Sequence, residues 1–209
     1  MLYKALHRWV WGFFLFSISG AIAMIMLAAL AVLLLTMGAI WLFNALVRLR
    51  NQVRVAWSDV DVQLQRRHDL VPTLVASVKA YAKHESQLLA SITAERCAAM
   101  LVQTPAARSA PETAVARSLG HLMVLSEAYP ELKASANFAQ LTTELVEVEN
   151  ALQHARRFYN GSVREFNNAI ESFPSVLVAR TLAFKPAEFF AADNEARASI
   201  AVTLDAGTS

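Results

Sequence analysis

The chain has 209 residues, 56% of them apolar, with 19 Lys+Arg against 17 Asp+Glu; that is enough for one domain plus a membrane segment. Lys4 and Arg8 carry the small basic excess, since every acid lies beyond Arg48, and a formally neutral remainder excludes a general nucleic-acid binder. The single cysteine, Cys97, excludes an intramolecular disulfide framework.

No Asp, Glu, Lys or Arg falls between Arg8 and Arg48. A bilayer's hydrocarbon core is about 30 Å thick and takes roughly 20 helical residues, so this run exceeds one span but is short for two spans and a turn. It also exceeds the apolar core of a cleavable signal, ~7–15 residues. The transmembrane helix is placed at 22–43. Before it, Trp9, Trp11, Phe13, Phe14 and Phe16 make an aromatic lead-in suited to the interface. Ser17, Gly20 and Ala21 are small enough for neighbouring helices to approach. Residues 1–21 are therefore expected to be an interfacial or inserted extension.

From residue 44 the chain reads as helix almost throughout. Leu46, Leu49, Val53, Trp57, Val60 and Leu64 recur at steps of three and four, the helical period. The stripe resumes with Leu74, Val78, Tyr81, Leu88 and Ile92, so one long helix is expected to reach a connector at 102–109. Ser109 and Glu112 in "SAPE" have capping-box spacing for a second helix, ended at Pro130. The third has the clearest pattern: Phe138, Leu141, Leu145, Val148, Leu152, Ala155, Tyr159, Ser162, Phe166, Ala169 and Phe173 form an a/d-type, coiled-coil-like seam. Asn137 can cap its start, and Pro174 follows its end. A seam of that kind must be buried, at ~1.5–3 kcal/mol per large side chain, and antiparallel packing on the first helix is the simplest solution. A short helix at 175–183 follows. Three phenylalanines around Pro186 are expected to cover the bundle's end, and 191–209 to be a disordered tail.

Signatures of chemistry are absent. None of His68, His84, His121 and His154 has a His, Asp, Glu or Cys three or four residues away, the spacing of a helical metal site. His84 and Glu85 are adjacent and so aim ~100° apart on a helix. There is no G-x-S-x-G, G-x-G-x-x-G or P-loop, and Cys97 has only Arg96 as a cationic neighbour. No catalytic, cofactor-binding or metal-ligating residue is assigned, and the chain is read as not an enzyme. Arg48, Arg50 and Arg54 are close enough to the span for anionic headgroups at ~1 kcal/mol each; Arg66 and Arg67, roughly 27 Å along from Arg48, are not.

One stretch tests this reading, "QRRHDLVP" (65–72). Pro72 has no N–H, so the carbonyl of His68 loses its helical partner, at ~3 kcal/mol unless the helix bends or is interrupted. Asp69 can cap a restarted helix. The expectation is a bend or restart with a charged outer face.

The ordered blocks of this chain resemble the LemA family. They are "NALVRLRN", "AWSDVDVQLQRR", "DLVPTLV", "EAYPELKAS", the pair Glu149–Asn150, "ARRFYNGSVREFN", "IESFPSVLVA" and "FKPAEFF". They cover roughly 44–190. The chain departs from the family pattern in the extra apolar lead-in, in Ala80 where glycine is usual and in Phe166 where tyrosine is usual. The resemblance implies a membrane-anchored, elongated helical bundle with a small external N-terminus and no settled enzymatic activity. It transfers no catalytic residue. One branch of the family is associated with magnetosome membrane biogenesis.

The expected fold is all-α: an N-terminal transmembrane helix continuing into an elongated antiparallel bundle (44–190) of three long helices and a short C-terminal one. The expected role is a homo-oligomer, single-pass in the bacterial inner (cytoplasmic) membrane, its bundle cytoplasmic by three basic residues near the span to two. As a scaffold it would organise the lipid bilayer or membrane-protein partners, with no nucleic acid and no cofactor. The alternative is an adaptor or signalling subunit docking one membrane partner.

Overall fold

In the computed structural model the described residues are 2–82 and 84–190, with side chains described at 24 and from 26 onward. Within them the protein is all-α. The helices are α1 (Leu2–Tyr81), α2 (Ser86–Met100), α3 (Pro105–Ser126), α4 (Pro130–Lys133), α5 (Ala136–Glu171) and α6 (Ser175–Thr181). The side-chain placement expected for 1–21 and the tail expected at 191–209 lie outside the described residues.

α1 is one helix of 80 residues, about 120 Å long at ~1.5 Å per residue. Its apolar window is not buried inside the protein, and it is the one helix among the described residues long and apolar enough to cross a membrane. The charged continuation has its own buried stripe: Leu46, Val53, Ala56, Val60, Leu64, Val71, Leu74 and Val78.

α5 lies antiparallel along that stripe. Asn137 meets Ser77, Glu149 meets Arg67, Tyr159 stacks near Trp57, and Ser162 meets Gln52. The a/d seam of α5 is buried as its spacing predicts, through Phe138, Leu141, Leu145, Val148, Leu152, Tyr159, Ser162 and Phe166. Phe173, the last expected entry, is exposed. Asn137 is not the cap; Ser135 holds that position, and the Asn137 amide donates to Ser77 Oγ at 3.4 Å.

Two apolar cores divide the bundle along its length. The one nearer the apolar span is built from α1, α5, α6 and the segment after it, around Leu64, Tyr159, Phe166 and Phe190. The far core joins five helices around Leu74, Ile92, Leu122, Leu132 and Leu141. There α2 folds back on α1, and α3 runs forward again, its Arg108 beside Asp61 and its Glu112 beside Arg67.

Three boundaries differ from the sequence expectation. The first long helix ends at Tyr81 and α2 is separate; the apolar stripe skips from Ala82 to Leu88 across polar residues, and that gap is the turn. The second helix starts at Pro105 with Thr104 as N-cap, where proline's missing N–H costs nothing. Ser109 and Glu112 are therefore inside it and buried, not a capping box. Pro130 begins α4 instead of ending the preceding helix.

Candidate functional site

The helix does not restart at Pro72, which lies within α1. The donor that proline lacks is supplied from α2: Arg96 Nε donates to the His68 carbonyl at 2.7 Å. Asp69 caps nothing; its carboxylate accepts from Gln65 Nε2 at 2.8 Å.

The expected charged outer face is corrected more sharply. Gln65, Arg66 and Asp69 are exposed, but Arg67 is 2% and His68 0% exposed. Both occupy the buried stripe itself, since 64, 67, 68 and 71 are successive positions of one helix face. Glu112 holds the same place in α3, one step before Val115, Leu119 and Leu122. That pattern was readable in the sequence, had charged residues been allowed in the seam.

These side chains close a polar cluster between the two apolar cores. Arg67 Nη2 pairs with Glu112 Oε2 and also donates to the Glu112 carbonyl at 3.2 Å. His68 Nε2 lies 3.2 Å from the same carboxylate oxygen. Arg108 Nε donates to Glu112 Oε1 at 3.1 Å, and its Nη1 pairs with Asp61. Arg67 Nη1 adds Glu149 of α5 at 3.0 Å. Long polar side chains thus fasten α3 to α1 and α5. Burial pushes the Glu112 carboxyl up, but the His68 hydrogen bond and the Arg67 charge outweigh it, and the net shift is below the ordinary 4.5. A carboxylate with both oxygens occupied and held ionised is suited to clamping helices, not to moving a proton.

A second arrangement, also unforeseen, holds the chain after α6. Asn167 Nδ2 donates to the Ala187 carbonyl at 3.0 Å while its Oδ1 accepts from the Ala187 N–H at 2.8 Å. Asn160 repeats this with Phe190, at 2.8 and 3.0 Å. The two asparagines are two helical turns apart, about 10.5 Å; three extended residues cover about 10 Å. The periods match, so α5 grips residues 184–190 as a sheet edge would. Tyr159 donates its hydroxyl to the Glu188 carbonyl at 2.6 Å. Phe184 packs on Phe43 and Phe166, Phe190 on Trp57, and Arg50 and Arg156 lie over the two rings. The expected covering by phenylalanines holds for Phe184 and Phe190; Phe189 is exposed.

The remaining titratable candidates do not converge. His84, His121, His154 and Cys97 are exposed at separate places, and His154 Nδ1 lies 2.9 Å from Arg157 Nη2. Among the described residues no group of three or more His, Cys, Asp or Glu is placed to hold a metal. A groove of about 410 Å³ between α1 and α2 is lined by Val75, Lys79, Ser86, Leu89, Ala90 and Thr93, a set with no general acid, base or nucleophile pair.

The LemA family model matches residues 56–204. The chain belongs to the LemA family. Protein LemA of Metamycoplasma hominis is 28% identical over 142 residues, 66% of this chain and 64% of that protein. Magnetosome protein MamQ of Magnetospirillum gryphiswaldense is 32% identical over 73 residues, 35% of this chain and 27% of its own length. Magnetosome protein MamQ 2 of Paramagnetospirillum magneticum is 33% identical over an equally short stretch. The chain thus spans less than two thirds of these relatives. LemA membership and the apolar part of α1 together fit a membrane-associated helical protein, and the LemA family is not a known enzyme family.

Proposed function

We propose that this LemA-family chain is a single-pass, non-enzymatic membrane protein of the bacterial inner membrane that self-assembles and organises lipid or membrane-protein partners from a cytoplasmic bundle. The observation that carries this is the continuity of α1, which passes without interruption from the apolar window into the buried stripe. A rigid rod of that kind fixes the bundle's position relative to the bilayer, which suits a spacer or scaffold. Self-assembly is supported by exposed Val55 and Val62 on α1 and Val146 and Phe158 on α5, apolar side chains on more than one helix. Two of the relatives carry magnetosome names, in keeping with membrane organisation.

Light scattering of the mild-detergent extract, across protein concentration, tests the reading. A stable multimer supports it, and deletion of residues 1–20 should weaken that multimer while leaving the bundle helical. A monomer at every concentration overturns self-assembly and favours an adaptor that docks one partner.

A further inference from the structure

The α5–α6 corner exposes three large apolar side chains: Phe173 at 81%, Leu177 at 60% and Leu182 at 53%. Where this corner lies follows from the register of α5 on α1. The pairs Asn137–Ser77, Glu149–Arg67, Tyr159–Trp57 and Ser162–Gln52 advance in opposite directions at equal rates. Continued past the end of α5, the same register sets Phe173 level with Trp41–Phe43. A direct contact confirms the level: the Phe184 ring, just after α6, meets the Phe43 ring at 6.1 Å. Trp41 and Phe43 close the apolar segment of α1, which is exposed from Met26 to Trp41.

Cations outnumber acids at the corner itself. Arg48, Arg50, Arg180 and Lys185 are exposed at or near this level, against Glu171 at the corner and Glu165 and Glu188 level with Arg50. Arg50 is tied to it, its guanidinium lying 5.2 Å from the Phe184 ring centre. Exposed apolar side chains at the end of a span, with arginines and a lysine beside them, have the composition of a surface that enters the headgroup–acyl boundary of an anionic bilayer.

We propose that the α5–α6 corner is a second membrane contact, with Phe173, Leu177 and Leu182 inserting beside α1 into the leaflet on the bundle's side. This rests on the reading of 22–43 as the span. The corner makes two attachments of what the helix alone would make one, so the bundle is held against rotation about α1. Its occupant is lipid, because the corner lies level with the exposed apolar end of the span and is joined to it through the Phe184–Phe43 contact; a second copy of the chain is the competing occupant.

The test uses the full chain in a Cys97→Ala background, with a single cysteine at Leu177, Leu30 or Val124 carrying an environment-sensitive fluorophore. Helicity by circular dichroism checks that each variant is folded. Each is reconstituted into phosphatidylcholine–phosphatidylglycerol vesicles with nitroxide at a shallow or a deep acyl position. The proposal expects blue-shifted emission at Leu177 quenched most by the shallow nitroxide, quenching at Leu30 most by the deep one, and neither effect at Val124. Unquenched, water-like emission at Leu177 with Leu30 still quenched overturns the corner contact and leaves the span standing. Loss of quenching at both positions overturns the span and the contact with it. Blue-shifted emission at Leu177 that is unquenched and grows with protein-to-lipid ratio assigns the corner to a second copy and overturns the lipid contact.

Discussion

Arg96 of α2 donates its Nε hydrogen to the carbonyl oxygen of His68 at 2.7 Å, the acceptor that Pro72 leaves without a helical donor. An interior proline costs ~3 kcal/mol when the freed carbonyl stays unpaired; here a charged donor from another helix takes the place of the missing N–H. Proline and arginine are therefore coupled. Arg96→Ala should destabilise the bundle by ~1.5–3 kcal/mol, the range for a hydrogen bond from a charged group. In a Pro72→Ala background the alanine N–H satisfies His68, and the same substitution should cost distinctly less, a coupling of ~0.5 kcal/mol or more. Urea titration of the four proteins of this cycle, followed by circular dichroism, measures it. Additive costs would show that the two residues act independently.

The Glu112 cluster makes a prediction of opposite character. Breaking a buried ion pair by removing one partner costs ~3–5 kcal/mol, whereas replacing both by apolar residues can be near neutral. Glu112→Leu should thus be severely destabilising. Adding Arg67→Met should recover a large part of the loss, leaving Arg108 to its remaining partner Asp61. Thermal midpoints of the two variants against the wild type decide this. A double variant no better than Glu112→Leu would count against the clamp.

The same carboxylate sets a pH dependence. Its folded-state value lies below the ordinary 4.5, with burial raising it and the His68 bond and Arg67 charge overcoming that. The folded state therefore holds the ionised form more strongly than the unfolded state does. The stability it contributes is complete above pH 4.5 and drains away as pH falls toward the lower folded value. In Glu112→Gln that contribution is already absent, so stability in this acid window should fall less steeply than in the wild type. Parallel curves for the two proteins would remove Glu112 as the responsible group.

The asparagine grip on residues 184–190 should fail locally. Asn160→Ala frees the N–H and carbonyl of Phe190, and Asn167→Ala those of Ala187; about 1–2 kcal/mol each is expected. Amide hydrogen exchange should speed at Phe190 or Ala187 respectively, with α5 itself little changed. Alkali offers a second route. Burial, with the Glu188 charge adding to it, raises the Tyr159 hydroxyl from 10.0 to about 12. Its contribution is whole below pH 10 and is lost as pH rises toward 12, so residues 184–190 should loosen in that interval; Tyr159→Phe should flatten this dependence.

Helices α1 and α5 were legible because nothing but apolar spacing defines them, and the same stripes that appear in the sequence are the ones buried. The polar parts were not, for a specific reason. Arg67, His68 and Glu112 occupy seam positions, yet their type argues for a solvated face until a partner 44 or 45 residues away is known. Burial of such residues is a property of the cluster, not of any one of them. Asn160 and Asn167 were equally silent, since a seven-residue spacing of asparagines gains meaning only when an extended segment lies alongside. The break before α2 left a trace, a skipped turn of the stripe, but no glycine or proline marked it.

Cys97 supplies the test of orientation. Arg48, Arg50 and Arg54 outnumber Lys4 and Arg8 across the apolar run, and basic residues near a span end are retained on the cytoplasmic side. The N-terminal amine opposes this, so the margin is narrow. Cys97 is exposed and next to Arg96, which touches His68, about 37 Å along α1 from Phe43; the thiol therefore stands well clear of the bilayer. A membrane-impermeant maleimide applied to intact cells should leave it unmodified, and the same reagent should label it once the cells are opened. Efficient labelling of intact cells, with a cytoplasmic thiol protein still protected, would place the bundle outside. It would also turn the basic residues around the α5–α6 corner toward the opposite leaflet.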